Sequence, residues 1–376
     1  MTLKCANFPK CTGCSSWDTS YSEQKLNKIS YLQSLLKANN LNFGDRPEFI
    51  SCGEFGLRHR IDFTIEYSPE TQLHTTGFYD QDKKLMTITE CLQLDPKLQK
   101  IYSEFIKFKF FYGDNPLKKG SVRLRLSPSG QKGCWLDFSN IDIKHLLQDQ
   151  KLLNELLNAG FIIEIGQKGK KLKRENGNLK LSEANPDTWF HTVDSTDKPI
   201  TLKSLISDFT QPSWISAEAL VKVVLTWIDG KQLKSVLEFG SGIGQFTLSF
   251  LKHGLTVDAC DINSSAHERL LTNAQEHNLE SRLKLHLGDF HRKPVPKNKA
   301  YDMVFVNPAR SGLGHFTEQI LKTEAECLIY VSCFPETLCS DLEKLKEKFE
   351  ICNIIIIDQF PQTKHFETCV LLKKLN

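Results

Sequence analysis

Residues 235–251 constrain this chain more than any other stretch. Ser235 to Phe239 is a short strand-like run carrying one acid, Glu238. Gly240, Gly242 and Gly244 follow at alternate positions, and a helical apolar pattern runs on to Leu251. Glycines in such a turn let the backbone approach a ligand closely. A second strand-like run, Leu255 to Cys260, ends at Asp261, 21 residues after Gly240. An acid at that place accepts hydrogen bonds from ribose hydroxyls. The expectation is an open α/β sheet that binds a nucleoside cofactor. The dinucleotide fingerprint requires a glycine three positions after its second glycine, and Gln245 stands there, so that match fails.

An acid before Gly-x-Gly-x-Gly resembles the first motif of S-adenosylmethionine-dependent methyltransferases. There Glu238 can face the positively charged methionine portion. Asp289 ends Leu285 to Asp289, near where the adenine would lie. Asn307-Pro308 follows a fourth strand-like run. Asn-Pro in that place is similar to methyltransferases that modify exocyclic amino groups of bases. Those carry a second proline and an aromatic residue where this chain has Ala309 and Arg310.

Leu328 to Ser332 reads as a buried strand, and Pro335 enforces a turn just after Cys333. In open α/β sheets the carboxyl ends of the strands handle ligands. Cys333 is therefore a candidate nucleophile, although a buried cysteine ending a core strand is the plainer reading for any single cysteine. At the C-terminus two more strands flank a turn containing Pro361. Glu367 opens the last strand, either as a solvated strand end or as a base.

Cys5, Cys11 and Cys14 fall within ten positions, and one short loop can present all three to a metal centre. Cys91 is the expected fourth ligand, with Cys52 as competitor. Three close cysteines and a distant fourth suit a [4Fe–4S] cluster, with all-cysteine zinc as the rival. The five residues between Cys5 and Cys11 exclude the three-residue spacing of radical enzymes that cleave S-adenosylmethionine.

Neither a signal peptide nor an apolar run of membrane-spanning length is read in the chain. The expected location is therefore cytoplasmic, and the twelve cysteines are expected as thiols or ligands rather than disulfides. The net charge of +3 gives no global polyanion signal, so any nucleic-acid footprint must be local. Candidates are Arg58 with Arg60, Arg123 with Arg125, the basic run 168–174 as a hairpin tip, and Trp189, Phe190 and Tyr79 as stacking groups. A helix is expected over residues 21–41, from the spacing of Leu26, Ile29, Leu32, Leu35 and Leu36. The expected domains are an α+β region, 1–205, and a Rossmann-like methyltransferase region, 206–376, on which the 21–41 helix packs.

Together these stretches resemble the bacterial RNA uracil-5-methyltransferases. The subgroup most similar acts on 23S rRNA, carries an N-terminal iron–sulfur cluster and lacks a TRAM domain. The residues that carry the resemblance are the four cysteines, Phe209 to Gln211, the Glu238 to Gly244 turn, Asn307 to Arg310, Ser332-Cys333, and Phe360 to Glu367. The resemblance implies Cys333 as nucleophile and Glu367 as base. It implies Gln211, Gly240, Asp261 and Asn307 as contacts to S-adenosylmethionine, to which the glycine turn and the strand-end acid add Gly242 and Asp289, and Cys5, Cys11, Cys14 and Cys91 as cluster ligands. The implied partner is RNA, 23S rRNA ahead of tRNA, with no protein partner and a monomeric state. The chain departs from the family pattern with Phe334 and Ser213 where asparagines are usual, and with Gly240 and Ser241 in the glycine turn. The competing readings are an amino-group methyltransferase and a non-catalytic iron–sulfur RNA-binding protein.

Overall fold

The computed structural model describes residues 4–109, 119–138, 147, 150–166, 170–289 and 300–375. The chain forms two compact units that interleave along the sequence. The first comprises Met1–Asp18, Glu54–Phe190 and Ser204–Ser213; the second comprises Thr19–Gly53, His191–Lys203 and Trp214–Asn376. This interleaving replaces the single expected boundary at 205/206. Its cause is visible in the apolar core of the second unit. Ile29, Leu32 and Leu36 of the N-terminal helix are buried in one cluster with Leu328, Tyr330, Leu338, Ile356 and Val370.

The second unit is built on an eight-stranded sheet. Its spatial order is Glu48–Ser51, Phe349–Asp358, Glu367–Lys374, Cys327–Ser332, Met303–Val306, Ser235–Phe239, Thr256–Asp261 and Leu283–Leu287. All neighbours are parallel except the two pairings of the Glu367–Lys374 strand. Every residue of Met303–Val306 and Cys327–Ser332 is buried. Strands covered on both faces read as unbroken apolar runs, which is why these two were legible in the sequence. The result is the expected Rossmann-like α/β architecture. The N-terminal helix spans Tyr21–Ala38, capped by Ser20, whose side chain accepts from the Glu23 N–H. It stops short of residue 41, and Leu26, expected on its packing face, is half exposed.

The first unit carries a second eight-stranded sheet, ordered Leu85–Thr87, Leu73–Tyr79, Arg60–Ser68, Lys119–Leu126, Lys132–Asp137, Phe161–Ile165, Lys170–Glu175 and Asn178–Ser182. Only the pairing of Lys132–Asp137 with Phe161–Ile165 is parallel. A parallel neighbour requires a crossover, and the Gln150–Asn158 helix lies within it.

Several expected RNA contacts are structural instead. Arg60 donates to the Thr210 carbonyl at 2.6 Å. Arg123 binds Asp62 and the Ser207 carbonyl, and buried Arg125 binds the Leu205 and Asp208 carbonyls. These guanidiniums satisfy the backbone of the 204–210 segment, which is how it joins this unit. Trp189 and Phe190 are buried, 2% and 3% exposed, and Gly133 leaves the space that the Trp189 ring fills. Tyr79 donates to Glu66 and lies under the Lys119 ammonium. Lys168 and Gly169 lie outside the described residues. Residues 170–174 of the basic run form one arm of a hairpin, not its tip, with Lys170 paired to Glu183 and Arg174 to Asn154. Among the described residues, no helix is long and apolar enough to cross a membrane.

Candidate active site and cysteine cavity

The register of the last strand decides which residues meet. Ser332 pairs with Thr368 across the antiparallel ladder, and Ile357 pairs with Glu367 on the other side. Continuing the first ladder by one step sets Cys333 opposite Glu367. The two side chains interact electrostatically, and both feel the Arg310 guanidinium, which hydrogen-bonds Cys333. Cys333 is half-buried and Glu367 only 3% exposed.

Burial pushes the Glu367 carboxyl up to about 8, with Arg310 offsetting part of the rise. Burial, then the charge of Glu367, pushes the Cys333 thiol up, while Arg310 pulls it down. Arg310 is thus the one group named beside both side chains that favours their charged forms. Arg310 is held on its loop by Asp341, which accepts from the Leu313 and Gly314 N–H groups and from Tyr330 Oη.

At the glycine turn, Gly240 has φ +77°, and a Cβ there would stand 2.5 Å from the Asn307 carbonyl oxygen. The turn and the Asn-Pro segment therefore touch, and only glycine fits between them. Asp261 accepts from the Gly242 and Asn263 N–H groups at 2.8 and 2.9 Å, one on each carboxylate oxygen. Glu238 is fully buried; one oxygen accepts from Thr247 Oγ1 at 2.6 Å and the other has no hydrogen-bond partner among the described residues. Burial raises its carboxyl to about 8. Asp289 lies two residues beyond the Leu283–Leu287 strand and is half-buried. Gly240, Gly242, Asp261, Asp289 and Asn307 thus belong to the same unit as Cys333 and Glu367. Gln211 belongs to the first unit.

The four cysteines expected as ligands line one cavity of about 70 Å³ in the first unit, together with Phe8, Trp17, Arg58, Ile61, Phe78 and Ile88. Burial raises the Cys14 thiol to about 11, a Trp17 hydrogen bond lowers it, and Cys91 and Cys11 raise it further. Cys91 is raised by burial first, then lowered by a hydrogen bond from the Gln93 backbone and by the charge of Arg58. Cys91 lines this cavity and Cys52 does not. Among the described residues, no three His, Cys, Asp or Glu side chains already stand as a metal-binding group. Four sulfurs around one mostly apolar cavity are nonetheless the donor set that a cluster or a thiophilic ion requires.

The family described as tRNA (Uracil-5-)-methyltransferase matches residues 290–375, and a general methyltransferase domain matches residues 236–328. A curated protein of Bdellovibrio bacteriovorus, described as an uncharacterized RNA methyltransferase, is 34% identical over 99% of this chain and 96% of its own length. The chain belongs to the RNA uracil-5-methyltransferase family. This methyltransferase is also 24% identical, over 98% of its length and 82% of the relative's, to the 23S rRNA (uracil(1939)-C(5))-methyltransferase of Aliivibrio fischeri. Its fold is similar to that of the Pyrococcus abyssi tRNA (uracil-54, C5)-methyltransferase solved with S-adenosyl-L-homocysteine. The TM-score is 0.72 at 21% identity, covering 97% of this chain and 86% of that one.

Two residues of the methyltransferase's active site were not assigned roles from sequence. Arg310 marked the resemblance only, because no spacing rule ties it to a cysteine 23 residues later. Gln359, which donates to Glu367 Oε1 at 3.0 Å, reads in sequence as a polar residue leaving a strand. Arg58, read as a candidate phosphate contact, lines the cysteine cavity instead.

Proposed function

We propose that this enzyme transfers a methyl group from S-adenosylmethionine to carbon 5 of a uridine in 23S rRNA through a covalent Cys333 adduct. The observation that carries this reading is the placement of Cys333 opposite Glu367 across the antiparallel ladder, with Arg310 against both. Carbon 5 of uracil is a weak nucleophile. Addition of the Cys333 thiolate to carbon 6 places the displaced electron pair on the ring as an enolate, and carbon 5 then attacks the sulfonium methyl group. Glu367 removes the carbon 5 proton, the C–H electrons restore the ring double bond, and Cys333 leaves as thiolate. The target base has to leave its stack to reach both side chains. Methylation of an amino group requires neither a covalent thiolate nor this base, so the pair favours carbon chemistry.

Gly240, Gly242, Asp261, Asp289 and Asn307 are the proposed cofactor contacts in the second unit. Asp261 is held by two backbone donors, and Glu238 has an oxygen free for a cationic neighbour. Gln211 is carried over as a contact from the family resemblance. Cys5, Cys11, Cys14 and Cys91 are the proposed ligands of a [4Fe–4S] cluster, which when bound would cross-link the N-terminal loop to the segment around Cys91. The preference for 23S rRNA rests on the curated relatives that carry that name.

The test uses 23S rRNA and tRNA transcripts containing 5-fluorouridine, in which no proton can be removed from carbon 5. The wild type should form a stable adduct with the 23S rRNA transcript, and Cys333→Ala should form none. A persistent adduct with full turnover in Cys333→Ala would exclude the mechanism. An adduct with tRNA alone would change the substrate.

A further inference from the structure

We propose that Gln359 is a positioning residue for Glu367, and that the N-terminal helix is the clamp that holds Gln359 in place. The inference rests on the carbon-methylating reading of the same site. Gln359 is buried, 2% exposed, and its side-chain amide donates to Glu367 Oε1 at 3.0 Å. It leaves the Phe349–Asp358 strand in a tight turn, its own N–H bonded to the Ile357 carbonyl at 3.0 Å. Ile357 is the ladder partner of Glu367, so the amide reaches the carboxylate from the strand alongside.

The segment that presents Gln359 is fastened on both sides by the helix Tyr21–Ala38. Lys28, 4% exposed, pairs with fully buried Asp358 at 2.7 Å and also donates to the Phe360 carbonyl at 3.1 Å. Gln24 and Gln362 form a reciprocal buried pair. The Gln24 amide donates to Gln362 Oε1 at 2.8 Å, and the Gln362 backbone N–H donates to Gln24 Oε1 at 3.0 Å. Gln362 adopts φ +64°, a left-handed conformation that a non-glycine residue holds only when its surroundings enforce it. Thr363 bonds the Phe360 carbonyl, and the His365 N–H bonds Thr363, which closes the turn just before Glu367. Asp358, Gln359 and Gln362 are thus each fixed by a named partner.

A carboxylate has two oxygens, and the proton on carbon 5 has to reach one of them. A donor on Oε1 fixes the rotation of the group and leaves Oε2 for the substrate. The consequence falls on one step. Attack by Cys333 and methyl transfer precede proton removal, so loss of the amide should leave them intact and slow the elimination.

The experiment compares wild type with Gln359→Met, which keeps the length and lacks the donor, on ordinary uridine RNA. Gln359→Met should lose at least tenfold in kcat, show a KM for RNA lowered in proportion so that kcat/KM holds, and accumulate a covalent protein–RNA complex carrying the transferred methyl group. A wild-type rate without trapped complex overturns the proposal, as does an equal loss of adduct formation and turnover. Should Gln359→Met fail to fold, Gln359→Asn, one methylene short, is expected to show the same trapped complex. Failure of the wild type to form a 5-fluorouridine adduct would overturn the parent mechanism instead, so the two outcomes are separable.

Discussion

At the scale of single residues, this site is organised around a carboxyl that burial keeps neutral. Glu367 is pushed up to about 8, against 4.5 for the exposed group, and Glu238 behaves alike. A carboxyl whose folded-state value is raised binds its proton more tightly folded than unfolded. Its contribution to stability is complete below the unfolded value and is lost as the pH rises through the folded one. Thermal unfolding should therefore show wild-type stability falling between about pH 5 and about pH 8. Glu367→Gln should flatten part of that fall, unfold several degrees higher near pH 8, and converge with wild type toward pH 5. The same substitution should remove turnover, because an amide cannot take the carbon 5 proton. A parallel fall in both proteins would show that Glu367 ionises freely in the fold. Sequence identified Glu367 and Cys333 by motif, but their electrostatics depend on Arg310, whose place beside them is set by a loop that Asp341 ties down.

At the scale of elements, the N-terminal helix is the component whose role differs most from its sequence signal. Its leucines announce a packing helix, and Ile29, Leu32 and Leu36 do pack. Its polar residues Gln24 and Lys28 read as solvated positions, yet both are buried and hold the turn before Glu367. Removing one partner of a buried ion pair leaves an uncompensated charge, a cost of about 3–5 kcal/mol, whereas replacing both with neutral groups costs far less. Lys28→Met should thus lower the unfolding free energy by about that amount. Lys28→Met with Asp358→Asn should recover most of it, as measured by denaturant titration of both single variants and the double. Strict additivity of the single changes would show that the pair is uncoupled in solution. The arginines of the first unit carry the opposite lesson. Arg60, Arg123 and Arg125 looked like an RNA-facing row, but the backbone carbonyls of residues 204–210 needed donors, and the guanidiniums supply them.

At the scale of the whole molecule, each unit has its own sheet and its own candidate chemistry. The four cysteines line a cavity in the first unit, and the proposed methyl-transfer residues Cys333 and Glu367 lie in the second. Metal bound to thiolates adds its binding free energy to folding. On the proposed cluster assignment, removal of iron by chelation should accelerate hydrogen exchange in residues 5–18 and 88–94 and lower the unfolding temperature of the first unit. The strands Met303–Val306 and Cys327–Ser332 should remain protected. A zinc-loaded protein without iron absorbance would replace the cluster by an ion while keeping the same ligands.

The sequence alone determined the Rossmann-like sheet, because strands buried on both faces need unbroken apolar runs. It also determined the glycine turn, because glycines at 240, 242 and 244 break the strand and helix patterns on either side, while the close approach of the Asn307 carbonyl to residue 240 belongs to the tertiary structure. The spacing of the cysteines and of the candidate nucleophile and base was legible because motifs are local in the chain. Tertiary structure decided what is non-local: that Cys91 rather than Cys52 joins the N-terminal cysteines, that Arg310 serves Cys333, and that Lys28 and Gln359 stand behind Glu367. Those pairings join residues up to 330 positions apart. Which polar partner a buried group finds depends on how the chain packs, and no periodicity in the sequence records it.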